Sequence, residues 1–538
     1  MNKKNDVTNK IDGIRKSKVR AFQRRTKVTE LAMQSLIKNG AFFQTPQDGF
    51  YFHGPSKQLF PLEQHSRGLA AFIEKQFGLN EAERGEYQHL LAALANHAYR
   101  DGQKTCIYRL AHYDSISKTL YVSRFDGNIY RLDGKCIELV PNGTDKVFFW
   151  DDPQWEKYEV TEAPKDVGAF ERTILRPVNF ATDQVLRPDE QRWLFRVWLL
   201  AQFFDTLHPT KPIALVTGEK GAGKTSAMRK WEKVLFGPEG EVSALERGKA
   251  DGFIATVSSN PVAIFDNVDE KIAWLPDHLA QVATGITIRR RRLYTTNQEV
   301  SYLPNCWIGL TSRTPDFLNG REDVLDRTLV FRTARLKENT PEHHLLEEVQ
   351  TNRNQIWSEL LKCLNRIVAY YRSGPKSAGK MNYRMADFAE FAVALGRLEH
   401  REEIAHRVLG KLECAQTEML FEQDPILDCL CEWLKTGKNR GREVTAAELS
   451  GDLGRIADMC SLPWPYSGAR SLGQRLPHIL RNLKERFELE QRKDSAGQWH
   501  YKFWPKSGTL NHPERPSPLL PDVQSTVEQG DPNLSLNH

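Results

Sequence analysis

One stretch of this sequence has the residue types and the spacing of a phosphate-binding loop. It reads GEKGAGKT: a glycine, four further residues, then Gly-Lys-Thr. Glycines let a backbone turn tightly and aim N–H groups at a phosphate, which also lies at the positive end of the following helix. Lys224 would reach the β- and γ-phosphates, and the Thr225 hydroxyl would ligate magnesium. We therefore expect ATP and Mg²⁺ to be held by Gly218, Glu219, Lys220, Gly221, Ala222, Gly223, Lys224, Thr225 and Ser226.

The flanks of the loop supply the strand and the helix that such a loop requires. Upstream, residues 213–217 form a short apolar, β-branched run that is typical of a buried strand. Downstream, Met228, Trp231 and Leu235 fall on one face of a helix. The alternative is a chance match in a glycine-rich turn, and both flanks argue against it.

Two later apolar runs end in polar residues that suit the same site. Residues 261–266 form a strand ending in Asp266, which would hold the water shell of the metal at the carboxyl end of that strand. Residues 307–313 form another strand, whose polar end could place Thr311 or Ser312 against the γ-phosphate or the attacking water. A hydrophobic run ending in Asp is weak evidence alone, but its distance behind the loop favours a functional interpretation.

Arginines at two places are not explained by a packed core. Four consecutive arginines at 289–292 lie between β-type residues, and a strand would put their charges on both faces. We interpret them as a hairpin that offers cations to phosphates, with a solvated strand edge as the alternative. Arg327 precedes the strand 328–331 and can point toward a neighbouring subunit's γ-phosphate; its alternative is a surface salt bridge with Asp323 or Asp326.

In this order the elements resemble the superfamily-3 branch of the AAA+ ATPases, in particular the primase-helicase-like ATPases of phages, poxviruses and integrated mobile elements. GEKGAGKT resembles the Walker A motif of the family, VAIFDNVD its Walker B motif, WIGLTSRTP its sensor 1 and REDVLDRTLVF its arginine-finger segment. TGITIRRRRLYTTNQE occupies the place of the DNA-contacting hairpin. The resemblance covers roughly residues 183–335.

The resemblance implies roles for individual residues. Lys224 and Thr225 would bind phosphate and magnesium, and Asp266 would organise the metal. Ser312 would sense the γ-phosphate, and Arg327 would act in trans. Single-stranded DNA would be gripped by Arg289, Arg290, Arg291 and Arg292.

Two positions depart from the family pattern. Asn267 stands where the family usually has the acidic base for water, and Asp269 or Glu270 could substitute for it. Ser312 stands where sensor 1 usually carries Asn. Both changes favour nucleotide binding over fast hydrolysis.

The flanking regions divide into further domains. The opening segment is rich in Lys and Arg, which is typical either of a solvated tail or of one that touches nucleic acid. Residues 444–504 have the plan of a winged helix, with Arg475 on the second helix as a DNA contact; protein docking is the alternative. We predict a basic disordered tail over 1–28, an α+β domain with an antiparallel meander over 29–165, a P-loop AAA+ domain with a lead-in helix over 166–340, a helical bundle over 341–440, a winged-helix domain over 441–505 and a disordered tail over 506–538.

Composition sets further bounds. The 538 residues carry a net charge of +6, and no apolar run approaches the roughly 20 residues that span a bilayer. The first residues are polar and basic, so we expect a cytoplasmic protein with no membrane partner. The eight cysteines show no Cys-x-x-Cys spacing, which predicts reduced thiols and no structural zinc.

These features together predict an α/β P-loop NTPase core with an AAA+-like parallel sheet. The expected activity is that of an ATP-dependent DNA helicase or translocase of mobile-element replication, assembled as a homo-oligomeric ring with six subunits expected. Its expected partners are single- or double-stranded DNA and replication or defence proteins. The alternative is a non-translocating regulatory or anti-phage ATPase switch. A small-molecule kinase fits less well, because it would not need the arginine hairpin or the winged helix.

Overall fold

The computed structural model describes residues 6–82, 84–160, 168–182, 185–269, 272–291, 299–302, 304–314, 316–318, 321–338, 340–374, 383–423, 425–460, 462, 464–495 and 497–506. The chain divides into two compact units, Met1–Gln423 and Asp424–His538. Within the ranges just given, no helix has the length and apolarity needed to cross a membrane.

The first unit begins with helices packed on a four-stranded sheet of order β3-β2-β1-β4. Ile11 and Val28, on the first two helices, are fully buried in the core of this layer. The predicted disordered tail is therefore wrong for residues 6–28, since apolar side chains at helical spacing anchor this basic segment. The elements are α1 (Asp6–Lys16), α2 (Ala21–Asn39), β1 (Gly40–Gln44), β2 (Gly49–His53), β3 (Gln58–Pro61), α3 (Arg67–Phe77), α4 (Arg84–Asp101) and β4 (Gln103–Lys104).

The predicted antiparallel meander follows, with its turns at Gly127 and Gly134, whose φ angles are 81° and 84°. Its order is β6-β7-β8-β9, from β5 (Ile107–Tyr108), β6 (Ala111–Asp114), β7 (Thr119–Ser123), β8 (Asn128–Leu132), β9 (Ile137–Pro141) and β10 (Phe148–Phe149). Strand β5 lies outside this meander and pairs in parallel with β10. The chain leaves β5 at Arg109, whose guanidinium lies 4.2 Å from the Trp150 ring centroid.

A five-stranded sheet, parallel at every pairing, forms the centre of the first unit, in the order β12-β13-β16-β11-β17. Its central strands are buried, as expected for parallel strands covered by helices on both faces. This sheet confirms a mixed α/β architecture. The elements are α5 (Pro188–Ala201), β11 (Ile213–Gly218), α6 (Lys224–Phe236), β12 (Ser243–Ala244), α7 (Asp251–Ser259), β13 (Val262–Asp266), α8 (Leu275–Ala283), β14 (Ile288–Arg291), β15 (Glu299–Tyr302), β16 (Trp307–Ser312), α9 (Glu322–Leu325) and β17 (Thr328–Thr333).

Three further helices pack on this core: α10 (Glu342–Arg372), α11 (Ala386–Leu398) and α12 (Glu402–Gln423). Arg353 of α10 donates to the carbonyl oxygens of Val234 and Leu235 at the end of α6, at 3.0 and 3.2 Å. The Trp357 indole N–H donates to the same Val234 oxygen at 2.8 Å. Because the last carbonyls of a helix lack partners within it, these bonds fix the helix that begins at the predicted phosphate loop.

The lead-in helix α5 is joined to α12 through a buried carboxylate. The Glu190 side chain is fully buried and accepts from Arg407 Nε at 2.7 Å and from Lys411 Nζ at 2.9 Å. It also accepts from the Arg187 backbone N–H at 3.0 Å, which caps the start of α5. Burial opposes ionisation of Glu190, but these hydrogen bonds and charges lower its pKa to about 2.

We expect Glu190→Gln to lower the free energy of unfolding by about 2–3 kcal/mol at pH 7, because it leaves two cations without their shared charge. The folded pKa lies below the ordinary value of 4.5. The stabilisation is therefore complete above pH 4.5 and is lost as the pH falls toward 2, so the variant and the wild type converge in acid. Urea unfolding between pH 7 and pH 3.5 measures this pH dependence.

Asp189→Asn, at a side chain 63% exposed, is the control and should change stability by less than about 0.5 kcal/mol. A difference that is independent of pH would contradict this account.

The second unit contains a helical pair followed by a hairpin. The Thr445 hydroxyl accepts from the Glu448 N–H at 3.2 Å and so caps the first helix of this pair. The predicted bundle boundary at 440 is wrong, because the helix at 425–435 belongs to this unit rather than to the preceding one. The elements are α13 (Pro425–Lys435), β18 (Val444–Thr445), α14 (Ala446–Met459), α15 (Ala469–Arg486), β19 (Phe487–Lys493) and β20 (Trp499–Pro505), with strand order β18-β20-β19. The predicted tail beyond Lys506 lies outside the described residues.

Candidate nucleotide site

The predicted phosphate loop connects β11 to α6, at the carboxyl edge of the parallel sheet. Gly221 and Gly223 have φ angles of 81° and 73°, a backbone conformation that favours glycine. Gly218 lies so close to β17 that an added Cβ atom would come within 2.3 Å of the Thr333 oxygen. The glycines at these positions are therefore required by backbone conformation and close approach, as the sequence pattern predicted.

Lys224 is the first residue of α6 and bends back over the loop. Its Nζ donates to the carbonyl oxygens of Gly218 and Glu219, at 2.7 and 3.0 Å. Burial lowers the pKa of Lys224, and the nearby Arg313 acts in the same direction, while Asp269 and Asp266 oppose both. The ammonium group is thus held over the loop by two neutral acceptors, which a phosphate could replace.

Asp266, Thr225 and Thr311 meet at the end of β13. Asp266 Oδ1 accepts from the Thr225 hydroxyl at 2.6 Å and from the Thr311 hydroxyl. Hard oxygen donors of this kind are the ligands that Mg²⁺ prefers, so the hydroxyl of Thr225 and the carboxylate of Asp266 fit a magnesium site. The Thr311 hydroxyl, predicted to contact the γ-phosphate or the attacking water, bonds to this carboxylate.

Asn267 is fixed by its neighbours in a backbone conformation that is rare for residues other than glycine, with φ 54°. Its N–H donates to Thr311 Oγ1 at 3.0 Å, and its side-chain amide donates to Asp266 Oδ2 at 2.9 Å. An amide cannot accept a proton from water at neutral pH. Asn267 therefore orients Asp266 but does not replace the missing acidic base.

Asp269 is the one carboxylate besides Asp266 among the described residues that line the cleft. Its Oδ1 accepts from the Ser312 hydroxyl at 3.0 Å, and its Oδ2 accepts from Arg313 Nε at 2.6 Å. Burial acts to raise the pKa of Asp269, but the hydrogen bonds from Arg313 and Ser312 outweigh it and lower the pKa. In this conformation Asp269 is an engaged anion rather than a free base. Glu270, the other predicted substitute, lies outside the described residues.

The predicted sensor, Ser312, and its neighbour Arg313 differ in exposure. Ser312 is fully buried, and its hydroxyl oxygen lies 2.9 Å from the Val268 oxygen and 3.0 Å from Asp269 Oδ1, so its one proton is shared between two acceptors. Arg313, by contrast, is exposed and lines the cleft. The geometry places the arginine, and not the serine, where a phosphate could be contacted.

The cleft formed by these residues has a volume of about 770 Å³ and is lined by 220–226, Asp266 and Arg313 among others. Arg247 also lines it, and no sequence pattern had identified that residue. Arg313 could have been found, because it directly follows the polar end of the strand already considered. Such a volume lies within the range of pockets that hold small-molecule ligands.

Arg327 does not contribute to the described lining of its own cleft. It donates to the backbone oxygen of Asp323. The carboxylate of Asp323 instead pairs with Arg321, and that of Asp326 pairs with Arg384. These contacts therefore do not include the salt bridge from Arg327 to Asp323 or Asp326 that was the predicted alternative.

The arginine run lies on a two-stranded antiparallel hairpin of β14 and β15, in which Arg289 is opposite Ser301 and Arg291 is opposite Glu299. The backbone hairpin is as predicted, and Arg292 lies outside the described residues. Arg475 is on α15 of the second unit, in a helix that continues through Pro477. The predicted DNA contacts at these positions stay predictions.

Residues 173–404 match the family model described as "Actinomycete integrative conjugative element replication protein". That segment contains the whole nucleotide cleft. No curated protein matches the sequence. Among solved structures, the chain is similar to the A form of the apo NrS-1 C-terminal region, with 12% identity, a TM-score of 0.40 and coverage of 87% of this chain and 98% of that one. It is also similar to "SCCmec type IV Cch - active helicase", with 12% identity, a TM-score of 0.42 and coverage of 85% and 90%.

Proposed function

We propose that this protein is an ATP-dependent DNA helicase or translocase of mobile-element replication, acting as a homo-oligomeric ring. The observation that carries the proposal is the meeting of Lys224, Thr225 and Asp266 around one cleft at the carboxyl edge of a parallel sheet. This is the edge at which open α/β sheets bind ligands. The match of the same segment to replication proteins of integrative conjugative elements supports the biological setting.

The chemistry we propose uses the contacts that already exist in the cleft. Lys224 exchanges its two carbonyl acceptors for the β- and γ-phosphates of ATP, while the loop N–H groups hold the phosphate chain. The Thr225 hydroxyl and the Asp266 carboxylate would hold Mg²⁺, which would neutralise charge on the phosphates. Asn267 and Thr311 keep the Asp266 carboxylate oriented for that task.

We further propose that Arg313 moves from Asp269 to the γ-phosphate when ATP binds. The Arg313 side chain is 57% exposed and can rotate into the cleft, whereas the Asp269 side chain is only 13% exposed. Release of Arg313 removes a cation that lowers the Asp269 pKa, so the carboxylate becomes a better proton acceptor for water. Ser312 would then keep Asp269 in place.

This role predicts different outcomes for two substitutions in the pair. Asp269→Asn should lower kcat about 10²-fold or more with little change in nucleotide affinity, because a general base contributes roughly 10²–10⁴-fold. Arg313→Ala should lower kcat and also weaken ATP binding relative to ADP, since it removes a γ-phosphate contact. Single-turnover hydrolysis and equilibrium binding of both nucleotides measure these effects. Equal losses for ATP and ADP would remove Arg313 from the γ-phosphate.

The DNA side of the proposal depends on the hairpin of β14 and β15. We expect single-stranded DNA to stimulate hydrolysis and Arg289–Arg292→Gln to remove the stimulation. The same variant should reduce the slope of log affinity against log salt by up to about 3, because each phosphate contact on a single strand contributes about 0.7. Fluorescence anisotropy and a coupled ATPase assay measure both quantities. Hydrolysis that is indifferent to DNA, with an unchanged salt slope, would contradict the proposal.

A second candidate is a non-translocating ATPase switch that binds DNA or a partner protein. Asn267 favours it, together with the engaged state of Asp269, because neither residue is a free base in this conformation. A strand-displacement assay distinguishes the two. ATP-dependent unwinding supports the helicase, whereas ATP-dependent DNA binding without unwinding supports the switch.

A further inference from the structure

The segment made of α1, the linker after it and the start of α2 is strongly basic. Residues 6–30 contain eight basic and three acidic residues, a net charge of +5 against +6 for the whole chain. Three of these basic residues form salt bridges: Lys10 pairs with Asp6, and both Arg15 and Arg24 pair with Glu86. Five others are exposed and have no acidic partner in the described part of the chain: Lys16, Lys18, Arg20, Arg25 and Lys27. We call these five residues the basic arm.

The basic arm is held on a folded surface. Ile11 is fully buried among residues of α2, α3 and α4. The Thr8 hydroxyl donates to the Gln76 oxygen at 2.9 Å, and Arg15 donates to the Gly78 oxygen at 3.2 Å. These contacts fix α1 against α3, so the cations are presented at preset positions. This segment of the protein would therefore lose less conformational freedom on binding a ligand than an unstructured tail would.

Apolar groups lie among the cations. Phe22 is 72% exposed in the first turn of α2, close in sequence to Arg20 and Arg25. A shallow groove of about 460 Å³, lined by Ile14, Val19 and Leu31, also accompanies the arm. Unpaired bases can stack on an exposed aromatic ring, while a duplex keeps its bases stacked inside. This combination of cations and an aromatic favours a single strand over a duplex.

An anionic membrane is the other polyanion that basic helices can bind. Such a helix inserts a broad apolar face into the lipid. In α2 that face is already used, because Val28, Ala32 and Leu36 are buried in the domain core. Phe22 alone is a small anchor by comparison. The observations therefore favour nucleic acid.

We propose that the basic arm is a second binding site for single-stranded DNA, separate from the β14–β15 hairpin. Its cations contact backbone phosphates, and Phe22 stacks on a base. This inference rests on the proposed function only for naming DNA as the nucleic acid. The charge of the basic arm and its exposed ring do not depend on ATP hydrolysis.

The test measures binding of a fluorescein-labelled oligothymidylate to the full chain without nucleotide, across a salt series. One variant changes all five arm residues to Gln. Its matched control changes five exposed lysines elsewhere in the first unit to Gln: Lys38, Lys104, Lys135, Lys146 and Lys362. The arm variant should reduce the slope of log affinity against log salt by about 3–4, since each phosphate contact contributes about 0.7. The control should change it by less than about 1, and equal changes in both variants would overturn the proposal.

Substitutions of Phe22 provide a second, independent test. Phe22→Ala should weaken oligothymidylate binding about tenfold without changing the salt slope, and Phe22→Trp should restore it, because stacking does not depend on charge. Loss of affinity for a hairpin duplex equal to that for the single strand would overturn the single-strand assignment. So would vesicles of phosphatidylcholine and phosphatidylserine that bind more tightly than the oligonucleotide in an arm-dependent way.

The same measurements separate this inference from the proposed function. An unchanged slope in the arm variant, with hydrolysis still stimulated by DNA, overturns the second site and leaves the helicase proposal standing. A reduced slope in the arm variant, with hydrolysis indifferent to DNA, supports the second site and overturns the helicase proposal.

Discussion

Lys224→Ala is expected to lower ATP hydrolysis at least ~10²-fold, whether or not DNA is present. The side chain is positioned by two loop carbonyls, so its charge is available at the place where the phosphates must lie. Alanine removes the cation that would offset the charge developing on the transferred phosphoryl group. A coupled ATPase assay with saturating nucleotide measures the loss.

The neighbouring Lys220 provides the control within the same loop. Lys220 lines the cleft but is exposed, and no described residue is hydrogen-bonded to its amine. We expect Lys220→Ala to lower hydrolysis less than tenfold, because a mobile surface cation contributes little. Similar losses in both variants would show that the loop responds to charge in general and not to the position of Lys224.

Local sequence signals were sufficient to identify the glycine-rich loop and the carboxylate that meets it. Gly218, Lys224 and Thr225 are close in sequence, so their spacing alone predicts a shared site. Asp266 was found because an apolar strand ends in it. These predictions needed no knowledge of which strands are neighbours, and the parallel sheet brings Thr225 and Asp266 within 2.6 Å.

The connection between Asp269 and Arg313 could not be predicted in that way. It depends on β13 and β16 being adjacent in the sheet, although about forty residues separate them in sequence. The same adjacency buries Ser312 and turns Arg313 toward the cleft. Strand order is a property of long-range packing, so the sequence pattern identified the strand end at the cleft but not that Arg313 is the exposed residue there.

The opening helix shows a different kind of failure. Its high charge suggested disorder, but Val7, Ile11 and Ile14 recur at the spacing of one helical face. Composition averages over the segment and so conceals such a face. The residues that bury against α3 were present in the sequence, and the helical periodicity would have revealed them.

Arg327→Ala subunits, inactive by themselves, are expected to regain ATP hydrolysis when they are mixed with Lys224→Ala subunits. Arg327 is outside the described lining of its own cleft, and the nearest carboxylates are paired with other arginines. Burial lowers the pKa of this guanidinium, and Arg384 adds to the effect, although Asp323 and Asp326 oppose both. A partly desolvated cation that forms no salt bridge with a described carboxylate is suited to a phosphate on a neighbouring subunit.

In other NTPases a trans-acting arginine contributes roughly 10³–10⁵-fold to the rate. If each cleft of this protein uses Arg327 from the next subunit, a variant subunit disables its wild-type neighbour, while its own cleft still works beside a wild-type subunit. Hydrolysis in mixtures with wild type then follows the fraction of wild-type subunits, which is also the result for subunits that act alone. Co-assembling Arg327→Ala with Lys224→Ala subunits, each inactive by itself, separates the two cases: hydrolysis should reappear, because the intact cleft of the first variant receives Arg327 from the second. Arg384→Ala is the matched control, because that arginine lies beside Arg327 but is paired with Asp326, so this variant should stay active by itself. No recovery of hydrolysis in the mixture would mean that each subunit hydrolyses ATP alone, and the ring would lose its mechanistic basis.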